Sequence, residues 1–222
     1  MLLTALTQIG IVLTWLGLVG GAAEAVRRFT SANPEVTRKI VHIGAGQVIV
    51  LAWWLQTPTW MGIVASALFS GVALLSYRYP ILPGINGVGR HSLGTFFYAA
   101  SIGLLTAAFW PSGQPQYAAL GILVMTWGDG LAALVGQNFG RHPYQVLGSK
   151  KSWEGSLTML VASGVVCLLV LGVSAGFTAS VVTTAILVAL SATLLETLSF
   201  YGLDNLTVPL GSAVLAYGLM GL

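Results

Sequence analysis

The chain has 222 residues, 56% of them hydrophobic and only 7% charged, with a formal net charge of +3. A soluble domain carries about 25% charged residues, so a water-soluble fold is excluded, and the basic surplus is too small for a nucleic-acid binder. The mean hydropathy of +0.87 instead reads as an all-α, polytopic transmembrane helix bundle, and a single cysteine, Cys167, rules out an intrachain disulfide.

A membrane-spanning helix needs about 20 mostly apolar residues. Eight runs meet or approach this: roughly 2–25, 38–56, 59–77, 93–110, 117–137, 156–173, 178–198 and 206–222. They predict about 7–8 spans in a single domain, residues 1–222, the count depending on the short, Gly-rich last run. The first run has no basic leader and continues to Glu24, so it is expected to be a span rather than a cleaved signal. Of the seven connections, the first, third, fifth and seventh carry or flank every Lys, Arg, His, Asp and Glu, and the others carry none. Lys and Arg concentrate on the cytoplasmic side. The expected orientation puts both termini away from the cytoplasm and all ionisable chemistry at the cytoplasmic face of a bacterial inner or thylakoid-type membrane. Acids follow that sidedness only weakly, yet all six share the rim with the nine bases. Such pooling suits a metal and a polyphosphate.

In the first connection Asn33 is a natural N-cap and Pro34 suits the first helical position. Glu35, Arg38, Lys39 and His42 follow at i, i+3, i+4 and i+7, on one helix face. Arg38 and Lys39 are candidate phosphate ligands, equally readable as interfacial anchors, and His42 is a candidate catalytic residue. The Gly-rich segment from Gly84 to Gly94 carries Arg90 near Ser92 and Thr95, a second candidate phosphate contact.

The apolar run Ala118–Trp127 leads directly into Asp129, and a carboxylate on such a helix costs about 2.5–3.5 kcal/mol at mid-bilayer unless function retains it. Gly128, Ala132, Gly136 and Gly140 recur every fourth residue, a face another helix can approach closely. Lys150, Lys151, Ser152 and Glu154 then open the next run. Lysines oppose the dipole at a helix start, but with free backbone N–H groups they suit a phosphate. These residues predict a metal-binding Asp129 on one helix and a polyphosphate cradle at the start of the next. Finally, Glu196 ends an apolar run and Asp204-Asn205 opens another. Carboxylates and an amide are hard oxygen ligands of the kind Mg²⁺ uses, so Asp129, Asp204 and Glu196 are the candidate metal set and Asn205 a candidate nucleotide contact. Asp129, Glu196 or His42 would accept a substrate proton.

The pattern Gly128-Asp129-x-x-Ala132-x-x-x-Gly136-x-x-x-Gly140 with Lys150-Lys151-Ser152-x-Glu154-Gly155 resembles the CTP-binding region of the polyprenol kinase family, which includes dolichol and phytol kinases. Glu35-x-x-Arg38-Lys39-x-x-His42, Glu196 and Asp204-Asn205-Leu206-x-Val208-Pro209 are also similar to its members, and the compact length is most like the phytol kinases of photosynthetic organisms. The resemblance implies CTP as phosphoryl donor, Mg²⁺ as cofactor and an isoprenoid alcohol, phytol first, drawn from the bilayer lipid. Farnesol, geranylgeraniol and polyprenol are the alternative acceptors, and a membrane cytidylyltransferase making a CDP-lipid is the alternative reaction. The terminal Ser-x-x-Lys-Arg and Lys-Asp pattern of CDP-diacylglycerol synthases is absent. A transporter would place ionisable groups near the midplane. Monomer and oligomer both remain open.

Overall fold

In the computed structural model, described for residues 2–79 and 92–221, every one of the eight apolar runs is helical. Helix α1 (Leu2–Phe29) is followed by α2 (Pro34–Gly46) and α3 (Val48–Trp54), which are one apolar run broken at Gln47. Next come α4 (Thr59–Arg78) and α5 (Gly94–Phe109). The sixth unit is a rod, Pro115–Phe139, made of α6 (Pro115–Leu123), a π-helical segment (Val124–Asp129) and α7 (Gly130–Phe139). Helices α8 (Trp153–Ala175), α9 (Ala179–Thr197) and α10 (Asp204–Met220) complete the bundle. Five of these units are long and apolar enough to cross a membrane. The α2/α3 pair, α5 and α10 are the shorter ones.

The rod is the axis of the fold, with 67% of its apolar window buried. It packs against α3, α5, α8 and α10, while α1 touches only α2 and α3. The stripe of small residues lies on α8: a Cβ on Gly128 would meet Met159 and Ser163, and one on Gly136 would meet Ser152 and Gly155. Small side chains thus let two backbones approach where lipid gives no hydrophobic drive for helix association. Cys167 is fully buried in the α8 core.

One expectation fails locally. Lys150 and Lys151 do not open a helix. They lie on β2 (Ser149–Ser152), paired antiparallel with β1 (Pro143–Val146). The two-residue turn has φ of 49° at Leu147 and 81° at Gly148, the doubly positive geometry whose twist matches paired strands. The helix starts only at Trp153, where the Ser152 side chain accepts from Gly155 N at 3.1 Å. The hairpin therefore carries the lysines, and Ser152 is the cap.

Candidate active site

Asn33 caps α2 as its sequence predicts, accepting from Glu35 N at 3.0 Å. The helix then turns Glu35 and Lys39 inward, at 7% and 2% exposure. Arg38 forks onto the Glu35 carboxylate, 3.0 Å and 2.5 Å from its two oxygens. Lys39 is not paired on its own helix; its Nζ donates to Asp129 Oδ2 at 2.5 Å, across to the end of the π segment. His42 Nε2 stands 3.7 Å from that same oxygen, too far to bond, and is buried without any hydrogen-bond partner.

A second pair lies nearby. Lys151, from the hairpin, donates to the Glu196 carboxylate and to the Glu196 backbone oxygen. A cation at the last carbonyls of α9 is favoured by the helix dipole. Opposite Lys151 on β1, Tyr144 bonds Ser156 at 2.5 Å and Thr197 at 3.4 Å, fastening the hairpin to α8 and α9. His142 and Glu154 bond ring to carboxylate at 2.7 Å and close its outer side. Lys150 points away and is exposed.

Asp204 joins the two pairs, within electrostatic range of Asp129, Lys39 and Lys151. Its Oδ1 accepts from Asn205 N at 3.1 Å and Asn205 Nδ2 at 3.2 Å, and among the described ion pairs it has none. The start of α5 is pinned here as well. Leu93 N donates to Tyr201 O at 3.2 Å, and Gly202, at φ 82°, sits so close to Gly94 that a Cβ would come within 2.6 Å of it. Pro209, inside α10, denies the Asn205 carbonyl its usual donor four residues on.

The structure thus gathers Asp129, Glu196, Asp204, Asn205, Lys39, Arg38, His42 and Lys151 at one end of the bundle. Ser152 and Glu154 border it through the capping and His142 contacts, and Lys150 stands outside. Arg90 lies outside the described residues. Sequence reasoning missed Tyr98 and Thr126. The Tyr98 hydroxyl bonds Thr126 Oγ1 at 2.9 Å and the His42 carbonyl at 3.4 Å, and its ring lies 4.5 Å from that of His42.

Among the described residues no group of three or more His, Cys, Asp or Glu stands ready to hold a metal by itself. Mg²⁺ does not need one, because it is commonly held by one or two carboxylates plus substrate phosphates. The hard oxygens of Asp204 and Glu196 fit that use.

A curated relative, phytol kinase of Synechocystis sp. (strain ATCC 27184 / PCC 6803 / Kazusa), is 56% identical over 209 residues, covering 94% of this chain and 90% of that protein. The chain belongs to the phytol kinase family. More distant members of the family include phytol kinase 1, chloroplastic, of Arabidopsis thaliana, 26% identical over 91% of this chain and 74% of that protein. The same plant's farnesol kinase, chloroplastic, is 26% identical over 83% of this chain and 66% of that protein. No protein-family model and no solved structure matches the chain.

Proposed function

We propose that the protein phosphorylates phytol, with CTP as donor, at the cytoplasmic face of its membrane. The observation that carries this reading is the meeting of two buried lysine–carboxylate pairs, Lys39–Asp129 and Lys151–Glu196, around Asp204. Phosphoryl transfer is mostly positioning and charge neutralisation, and this cluster offers cations for phosphate oxygens and carboxylates for a metal. The nucleotide enters from water at the charged end, and the alcohol arrives laterally from lipid.

The two pairs divide the work. Lys151 and Lys39 would turn to the phosphates, helped by Arg38, Arg90, Lys150 and the amide of Asn205. Asp204 and Glu196 would hold Mg²⁺, which when bound neutralises charge on the phosphate oxygens. Asp129, already engaged by Lys39, serves the alcohol side with His42. Nε2 of His42 takes the hydroxyl proton as the alcohol oxygen bonds to the γ-phosphorus. The bond from that phosphorus to the bridging oxygen breaks, giving phytyl phosphate and CDP. His42 is preferred as acceptor because Asp129 and Glu196 already accept from lysines, whereas its buried nitrogen accepts from nothing.

Purified protein in detergent, given labelled CTP and phytol, is expected to yield CDP and phytyl monophosphate. Pyrophosphate and a CDP-lipid would overturn the kinase reading in favour of a cytidylyltransferase, and a preference for UTP or ATP would overturn the donor. Asp129→Asn is expected to lower turnover by at least about 100-fold while the protein still inserts; near-normal turnover would remove Asp129 from the site.

A further inference from the structure

We propose that Tyr98 is a positioning residue for the phosphoryl transfer: from α5 it fixes the His42 ring against the Asp129 carboxylate and so sets the seat of the alcohol hydroxyl. The inference rests on the kinase reading of this site and adds to it a residue with no charge and no motif.

Tyr98 is buried, at 9% exposure, in the first half of α5. Three bonds make it a hub. Its hydroxyl donates to the His42 carbonyl at 3.4 Å and shares a hydrogen bond of 2.9 Å with Thr126 Oγ1. With the Tyr98 hydrogen on that carbonyl, Thr126 is the donor to Tyr98. Thr126 lies three residues before Asp129 in the same π segment, and the Tyr98 ring packs on the ring of His42. One side chain therefore ties the helix of His42 to the segment of Asp129.

Gly46 completes the seat. A Cβ there would come within 2.2 Å of Thr126 Oγ1 and 2.5 Å of the Tyr98 hydroxyl, so α2 settles against this pair only because residue 46 has no side chain. Above the hub stand a buried Nε2 bonded to nothing and a carboxylate oxygen 3.7 Å from it. Buried polar atoms without a partner are rare and signal a missing ligand. A substrate hydroxyl is of the right size and chemistry: it donates to the ring nitrogen and accepts from the lysine side. A shift of even 1 Å in such a seat costs turnover severely, so the group that holds its two walls together acts on the rate of transfer rather than on binding.

The test is steady-state kinetics of Tyr98→Phe, Thr126→Val and His42→Ala, alone and combined, in detergent, with thermal unfolding measured on each. Tyr98→Phe keeps the ring and removes the hub. It is expected to lower kcat about tenfold, with KM for phytol and for CTP changed less than about threefold. Thr126→Val, approaching from the other side, is expected to match it, and the double variant to lose little more than either. In the His42→Ala background Tyr98→Phe is expected to have no further effect. If Tyr98→Phe leaves kcat unchanged, or lowers it equally with and without His42, Tyr98 is only a core residue and the inference fails while the kinase site stands. If His42→Ala and Asp129→Asn both keep full turnover, the site itself is misplaced and the inference falls with it.

Discussion

Lys39 and Asp129 stand 90 residues apart in sequence and meet where neither is wet, at side-chain exposures of 3% and 12%. Removing one partner of such a pair leaves a lone buried charge, a loss of about 3–5 kcal/mol, whereas removing both is often near neutral. Lys39→Met is therefore expected to lower the thermal unfolding midpoint in detergent clearly. Lys39→Met with Asp129→Asn is expected to restore most of the stability and none of the turnover; a single variant as stable as the parent would contradict the pairing. The shared face of Glu35, Arg38, Lys39 and His42 was legible from spacing, and so was the Asn33 cap. The partners were not. Periodicity places side chains on one helix, while Lys39 chooses a carboxylate on another. Tyr98 and Thr126 were invisible because a tyrosine or threonine inside an apolar run reads as ordinary core.

The hairpin is the element least legible in the sequence. Two-residue turns of its geometry favour Asn-Gly or Asp-Gly, and here Leu147 occupies the first position at φ 49°, so only Gly148 gave a signal. Its placement matters because β2 carries Lys151 to Glu196 at the end of α9. Gly148→Val forces a branched side chain to φ 81°, which β-branched residues scarcely tolerate. Since the turn is at the surface, the expected result is a rise of about tenfold in KM for the nucleotide with little change in unfolding midpoint. Unchanged nucleotide kinetics would detach the hairpin from the site. Leu147→Asn, better suited to that backbone, is expected to leave activity intact. The α7–α8 contact, in contrast, was written plainly by Gly128, Ala132, Gly136 and Gly140 at fourfold spacing.

At the scale of the whole molecule, composition and run length carried the helix bundle, and the alternation of charged and uncharged connections anticipated one ionisable end. Breaks inside a run were not legible, since neither Gln47 nor Val124–Asp129 contains a proline. Sidedness is open to direct measurement. Cys167 is buried, so the unaltered protein is expected to resist a membrane-impermeant maleimide. Lys150→Cys, at an exposed hairpin position, is expected to label from the cytoplasmic side, and Ser112→Cys, on the uncharged fourth connection, from the other. The reverse pattern would invert the orientation. The π segment ends on Asp129 within the most enclosed rod of the bundle. A widened turn winds in a surplus residue, and each residue of an α-helix advances about 100° around its axis. Deleting one residue between Val124 and Gly128 would let the rod rewind, and everything beyond would swing by about that angle. Since α5 and α10 grip the half before it and α8 grips both halves, the carboxylate and the glycine track could not both keep their bearings. The phase of this one rod is thus a quantity selection can adjust by a single codon.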